Sequence, residues 1–228
     1  MTKAYSVSFT KHLERVCAHD YRPTDEDIYQ ARVRTLGIHG RAFNIDGQVF
    51  NVYDVGGERV ERRKWVSVFG GNPLMTFFVA MSCYDQVLYE DNTRNRMTES
   101  LEVFEALVAD KERFSPQTKL ILCFTKMDLF ESKIKTGKGS IKSHFPNFKG
   151  RSTDVTAARD YFTKRFTALW QTPCELIVYY LNATNTDDVR MVLSNIVDNM
   201  PTSPPNFTFS KKAGLDTIVE YAALSYLF

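Results

Sequence analysis

Glycine is scarce in this sequence, 11 of 228 residues, and no Gly-x-x-x-x-Gly-Lys-Ser/Thr stretch occurs. The commonest backbone cradle for nucleotide phosphates is therefore missing. Gly137-Lys138 comes nearest, but Ser132 stands five residues before Gly137 and a further glycine, Gly139, follows the lysine. Cysteine is sparse too. Cys17, Cys83, Cys123 and Cys174 include no Cys-x-x-Cys pair, which argues against disulfide staples and for reduced thiols in a cytosolic protein. His12, Cys17, His19 and Asp20 lie close together, yet their spacing fits no zinc pattern. No run of 18 apolar residues exists, so no transmembrane helix is expected. The opening Met1-Thr2-Lys3-Ala4 lacks a signal-peptide apolar core, and Thr2 stands where N-myristoylation needs glycine. Net charge is small: 29 Lys and Arg against 27 Asp and Glu leave +2. That balance calls for neither nucleic acid nor an anionic membrane.

What is present is an ordinary globular composition, 43% hydrophobic and 25% charged, at a length suiting one sizeable domain or two small ones. Short apolar strands alternate with helix-patterned stretches, the pattern of a mostly parallel sheet covered by helices. Residues 42–45 and 49–53 flank Asp46-Gly47, a pair that tolerates positive φ, and predict a hairpin. Residues 74–81 are almost unbroken apolar, as in a strand buried on both faces, and 120–124 and 176–181 repeat that character. Helical spacing puts Leu101, Phe104, Leu107 and Val108 on one face of 97–108, and Tyr161, Phe162, Phe166 and Leu169 on one face of 156–169. A last helix over 188–199 turns Val189, Val192, Leu193 and Ile196 inward before Pro201 stops it. Residues 133–149, polar and rich in Gly and Lys, predict a surface insertion loop. Residues 201–206 predict an extended linker, and 215–228 an amphipathic tail helix.

Three strand ends carry chemistry. Asp54-Val55-Gly56-Gly57-Glu58 directly follows the strand ending at Tyr53. A carboxylate there, followed by paired glycines, suits a phosphate and Mg²⁺ site in an open α/β sheet. Asp54 would hold Mg²⁺ through its waters, and Gly57 would bring a bare backbone N–H against a phosphate oxygen. A plain strand-to-helix turn accounts for the same residues. Thr125-Lys126-Met127-Asp128 leaves the strand 120–124 in the same way. Asp128 can accept two hydrogen bonds from a guanine edge, a donor pair adenine lacks, and Lys126 can lay its stem over the base. A solvated strand end is the alternative. Asn182-Ala183-Thr184 follows a third strand, where a backbone N–H can meet a base oxygen.

These segments stand in order with Pro23-Thr24, Asp27-Ile28, Arg32-Val33-Arg34-Thr35, Gly37-Ile38, Glu61-Arg62, Lys64-Trp65, Tyr84-Asp85-Gln86, Asn95-Arg96-Met97 and Glu99-Ser100-Leu101. Together they resemble the alpha subunit of heterotrimeric G proteins over roughly residues 10 to 200, most densely from Pro23 to Leu101. The resemblance implies an α/β fold of the Ras-like P-loop NTPase class, a sheet with flanking helices whose first strand and phosphate loop are missing. Residues 1–22 would be a remnant of the family's helical domain, 23–200 the Ras-like GTPase domain, and 201–228 the linker and tail helix. The implied function is a guanine-nucleotide-binding signal transducer that hydrolyses GTP with Mg²⁺ in G-protein-coupled receptor signalling. By position, Arg32 is the arginine supplied in cis to the transferring phosphoryl, Thr35 and Asp54 hold Mg²⁺, and Gly57 senses the γ-phosphate. The implied nucleotide contacts are Tyr29, Gln30, Ala31, Arg32, Val33, Arg34 and Thr35, then Asp54, Val55, Gly56, Gly57 and Glu58. Thr125, Lys126, Met127, Asp128 and Ala183 complete the set. Residues 57–69 match the second switch, the family's surface for the beta-gamma dimer and effectors, with Arg62, Lys64 and Trp65 as its contacts. Trp65 equally suits packing of the helix onto the sheet. Leu227-Phe228 faintly resembles the apolar terminus offered to receptors. The implied location is cytoplasmic, at the inner face of the plasma membrane within a heterotrimer, with membrane contact only through partners.

Departures from the family temper the activity. Glu58 replaces a glutamine that orients the attacking water, and its charge beside a γ-phosphate would either raise its pKa or swing it out. Thr125 replaces asparagine and Asn182 replaces cysteine. The phosphate loop and its preceding strand are absent, with most of the inserted helical domain except 9–17, and so is the N-terminal helix that grips beta-gamma and carries lipid. That strand is internal in the family, between the strand ending at Tyr53 and the strand 74–81, so its loss would leave two apolar strand edges unpaired. Tyr5, Val7 and Phe9 alternate and suit a substitute strand, or equally a helix. Three readings stand: a GTP-binding transducer of weak hydrolysis, a non-enzymatic switch-surface protein that binds beta-gamma or effectors without productive GTP binding, and an incomplete chain.

Overall fold

The computed structural model describes residues 10–30, 35–45, 47–65, 68, 74–109, 111, 114, 118–172, 174–198 and 218–224. The chain divides into two compact units, Met1–Thr35 and Leu36–Phe228.

In the first unit, helix α1 (Leu13–Val16) precedes α2 (Asp25–Gln30). Thr24 caps α2 reciprocally with Asp27. The Asp27 N–H donates to Thr24 Oγ1 at 3.2 Å, and the Asp27 carboxylate accepts the Thr24 N–H and hydroxyl, each at 2.9 Å. Arg15 grips the same carboxylate in bidentate fashion at 2.6 and 2.8 Å, joining the two helices. The Arg15 guanidinium, with Thr24, holds the Asp27 carboxyl well below the usual carboxylate range. Residues 1–9, with the strand or helix expected around Tyr5, Val7 and Phe9, lie outside the described residues.

The second unit is built on a sheet of β1 (Ile38–Ile45), β2 (Gln48–Val55), β3 (Leu74–Ala80), β4 (Lys119–Thr125), β5 (Glu175–Leu181) and β6 (Ile218–Leu224), in the order β1-β2-β6-β3-β4-β5. β1 and β2 form the expected antiparallel hairpin, with Gly47 at φ +86° in its turn. The other pairings are parallel. The helices are α3 (Arg59–Arg62), α4 (Arg96–Ala109), α5 (Met127–Thr136), α6 (Ile141–His144), α7 (Val155–Thr167) and α8 (Thr186–Asp198).

Strand side chains divide by the period of two. Met75, Phe77 and Val79 of β3 and Leu120, Leu122 and Phe124 of β4 join the larger core cluster with residues of α4, α5, α6 and α7. Leu74, Ile121, Cys123 and Leu181 face the other way, onto Val192 and Ile196 of α8. This division follows from chain direction. The steps β2 to β3, β3 to β4 and β4 to β5 all run toward the β5 edge, so right-handed crossovers put their helices on one face. The step β5 to β6 runs back, and the same handedness puts α8 on the opposite face.

β6 is the main departure from the sequence reading. The tail expected as a helix is, from Ile218 to Leu224, a strand lying between β2 and β3 and parallel to both. Its register pairs Val49–Val55 with Ile218–Leu224 on one side, and Leu74–Phe77 with Tyr221–Leu224 on the other. The slot between β2 and β3, for which Tyr5, Val7 and Phe9 offered one substitute strand, is filled by residues 218–224. Two unpaired edges flanked by apolar strands are costly, and an alternating Ile218-Val219-Glu220-Tyr221 segment pairs with them at least as readily as it coils.

Two smaller expectations also change. The polar stretch 133–149 is not a surface loop: α5 and α6 run through it, and Ile134, Ile141, Phe145 and Phe148 are buried. Its apolar residues were too widely spaced among lysines to register as a helical face. On α8, Val192 and Ile196 are buried as expected, whereas Leu193 is exposed because one sheet face admits only the narrower stripe. Cys83, Cys123 and Cys174 are buried, and burial pushes the Cys123 thiol up to about 12.

Candidate functional site

The carboxyl ends of β2, β4 and β5 share one edge of the sheet, since these strands run parallel through β6 and β3. Open α/β sheets bind ligands at that edge. On the β4–β5 side, Thr125 is buried and turns its hydroxyl back to the Val79 carbonyl of β3 at 3.4 Å. Lys126 sits in the left-handed region, φ 58° and ψ 39°, alone in this among the described non-glycine residues. Such a conformation costs roughly 1–2 kcal/mol and needs surrounding contacts to hold it. It reverses the chain so that α5 starts at once, with Met127 buried and Asp128 exposed. The Asp128 N–H, one of the donors a helix start leaves without an intrahelical partner, donates to Asn182 Oδ1 at 2.8 Å. Asn182 follows β5 directly, and its own N–H donates to Asp188 Oδ2 in the first turn of α8 at 2.9 Å. Thr125, Lys126, Met127, Asp128 and Ala183 are thereby brought to one place.

On the β2 side, Asp54 is half-buried near the strand end, and Val55, Gly56 and Gly57 are buried. The Gly56 N–H donates to the Gly37 carbonyl at 3.1 Å. Trp65 Nε1 donates to the Gly56 carbonyl at 2.8 Å, and its ring, 6% exposed, lies in the larger core. Of the two expectations for Trp65, packing accounts for its position. Glu58, half-buried, stands as the N-cap residue of α3 in extended backbone. Glu61 is buried, accepting the Gly37 N–H at 2.5 Å and the Lys64 ammonium at 2.6 Å.

The segment after Gly57 is fastened to α4 by an ion cluster. Glu99, 4% exposed, accepts Arg59 Nε at 3.0 Å and Nη2 at 2.9 Å, and Arg62 Nη1 at 2.7 Å. Arg62 Nε donates in turn to the Gly57 carbonyl at 3.0 Å. Arg59, ahead of Arg62, holds the Glu99 carboxyl down at about 2 against the opposing effect of burial. Beside this cluster opens a cleft of about 420 Å³ between Arg62 and Trp65 on one side and Glu102, Val103, Ala106 and Leu107 of α4 on the other. Sequence reasoning singled out Arg62, Lys64 and Trp65 but missed Glu61 and Arg59 as groups that organise the segment. It used Glu99 only as part of a motif. The (i, i+3) spacing of Glu61 and Lys64 was a legible signal, whereas Arg59 and Glu99 meet across 40 residues of sequence.

Tyr29 and Gln30 end α2 and Thr35 is half-buried, all in the first unit. Ala31, Arg32, Val33 and Arg34 lie outside the described residues. No group of three or more His, Cys, Asp or Glu side chains suited to a metal occurs among the described residues. β6 is described as far as Leu224, level with Val55 and Phe77. Lys126, Asp128 and Ala183 thus stand together at the ends of β4 and β5, and no metal-suited side-chain cluster adjoins the end of β2 among the described residues. No helix among the described residues is long and apolar enough to cross a membrane.

A parallel sheet wound on both faces, with chemistry at its carboxyl edge, defines the class of mononucleotide-binding α/β folds. Within that class, the sequence model for the G-protein alpha subunit matches residues 3–200. The chain is 41% identical over 191 residues to the guanine nucleotide-binding protein alpha-3 subunit of Caenorhabditis elegans, covering 83% of this chain and 53% of that protein. It is 40% identical over 187 residues to the alpha-1 subunit of Saccharomyces cerevisiae, 82% of this chain and 39% of that protein. To a guanine nucleotide-binding protein subunit alpha of Coprinellus congregatus it is 36% identical over 195 residues, 85% and 54% of the two chains. The chain belongs to the G-protein alpha subunit family. It spans about half the length, or less, of these curated relatives.

Proposed function

We propose that this chain is a guanine-nucleotide-binding signal transducer whose hold on nucleotide rests on the base rather than on the phosphates. The observation that carries the reading is the bond from the Asp128 N–H to Asn182, which joins the two expected base-reading loops at the ligand edge of the sheet. In this reading Asp128 accepts from the guanine edge, Lys126 covers the base with its stem, and the Ala183 N–H meets the base oxygen. GTP and GDP are the ligands, and Arg32 and Glu58 match by position the groups the family uses for hydrolysis. Hydrolysis is weak, because Glu58 stands where the family has the glutamine that orients the attacking water. The partners assigned are the beta-gamma dimer, an effector and a G-protein-coupled receptor, met at the cytoplasmic face of the plasma membrane. Membrane contact comes through those partners, and nucleic acid is not among them.

The occupied slot between β2 and β3 favours a second reading. There the chain is a non-enzymatic protein that presents Arg62, Lys64 and the α3–α4 cleft to beta-gamma or an effector and binds no nucleotide productively. Titration of the chain with a fluorescent GTP analogue and Mg²⁺ decides between them. Submicromolar binding, with ATP failing to compete, supports the transducer. Absence of binding at about 100 μM, an affinity weaker than roughly −5.5 kcal/mol, leaves the switch-surface protein.

A further inference from the structure

We propose that Asn182 is the positioning residue for base recognition, setting the distance and angle between the loop that carries Asp128 and the loop that carries Ala183. The proposal rests on the guanine reading given above. Three observations lead to it. First, α5 has no local side-chain cap: Lys126 occupies the N-cap position and makes no capping bond. Asn182, 54 residues away, serves the Asp128 N–H in place of that cap at 2.8 Å. Second, Asn182 is itself held from its other side. Its N–H donates to Asp188 Oδ2 at 2.9 Å, and its carbonyl accepts the Asn185 N–H at 2.9 Å. The Asn185 side chain in turn accepts the Asp187 and Asp188 N–H groups at 2.9 and 3.2 Å. The amide oxygen that receives the Asp128 N–H is thus anchored to β5 and α8 rather than free to follow α5. Third, Thr125 turns its hydroxyl back to Val79 of β3, so the tie from this turn to the β5 loop falls to Asn182.

The consequence for recognition is geometric. Ala183 is the next residue after the anchor, and Asp128 carries the amide that the anchor receives. A shift of one loop against the other opens the gap in which a base edge would have to meet both. A carboxylate that reads two donors of guanine loses its selectivity first when it is displaced, because both bonds must stay short and straight together.

Amide hydrogen exchange on the intact chain reads the tie without any nucleotide. Asn182→Ala should speed exchange at the Asp128 amide about tenfold, while Asn182→Asp, which keeps an acceptor of the same reach at a helix start, should leave it near the unsubstituted rate. Titration with fluorescent GTP and inosine triphosphate analogues reads the function, since hypoxanthine lacks the 2-amino donor. Asn182→Ala should weaken GTP about tenfold and the inosine nucleotide about twofold, and Asn182→Asp should restore the ratio. A merely structural role would weaken both nucleotides equally. Equal weakening, or an unchanged Asp128 exchange rate in Asn182→Ala, overturns the proposal. If the unsubstituted chain binds neither nucleotide, the guanine reading falls and the positioning role falls with it. If it binds GTP and the ratio does not move in Asn182→Ala, the positioning role alone is lost.

Discussion

Glu99 shows how a single buried carboxylate can organise a surface segment. It is 4% exposed and accepts three charge-assisted bonds from Arg59 and Arg62, so removing its charge leaves those donors facing a neutral group. Both arginines keep some contact with water, which softens the loss. Glu99→Gln should lower stability by about 2 kcal/mol, seen as a fall in the urea midpoint with an unchanged slope. The pH dependence has a defined sign. Because the folded-state carboxyl is held at about 2, below its ordinary 4.5, the contribution is complete above pH 4.5 and is lost as pH falls toward 2. The stability gap between the unsubstituted chain and Glu99→Gln should therefore close over that acidic window. Glu58 bears on function instead. If its charge is what opposes a γ-phosphate, Glu58→Gln should raise GTP hydrolysis by about tenfold or more in single-turnover assays. An unchanged rate would mean that this side chain does not limit the reaction. Residue identity marked the candidates at 54–58 and 125–128, although a plain turn or a solvated strand end uses the same residue types. It did not make Glu99 legible as the hub of an ion cluster, since its arginine partners come from a segment some 40 residues away.

At the scale of elements, β6 carries the largest consequence. A strand with partners on both sides donates and accepts along both edges, and proline removes one donor and adds a ring that neither neighbour accommodates. Ala222 pairs with Tyr53 on β2 and Met75 on β3. Ala222→Pro should cost about 2–4 kcal/mol and speed amide exchange along the facing edges of both strands. If the 218–224 amides of the unsubstituted chain exchange as fast as an unstructured segment, β6 is not seated and the sheet is divided. The strands β2 to β5 and the helices α4, α7 and α8 were legible because each has a long, regular apolar period. β6 was not, because Ile218-Val219-Glu220-Tyr221-Ala222-Ala223-Leu224 suits a strand or a short helix equally and only the vacancy beside it decides. For the same reason α5 and α6 were hidden: their buried residues, Phe130, Ile134 and Ile141, are few and spaced among charges.

At the scale of the whole molecule, the sequence by itself determined the family, a mostly parallel sheet covered by helices and the residue types at each strand end. Those properties reside in local composition: which residues alternate, which turns need glycine, and which carboxylates follow an apolar run. Tertiary structure alone decided that the carboxyl-terminal segment enters the middle of the sheet, because pairing depends on which edges are open and not on the segment's own preference. It alone decided that Trp65 is a core residue, that Glu99 gathers Arg59 and Arg62, and that Asn182 caps a helix 54 residues earlier in the chain. Each of these is a contact between residues remote in sequence, and its energy exists only once the sheet has brought their strands and helices together.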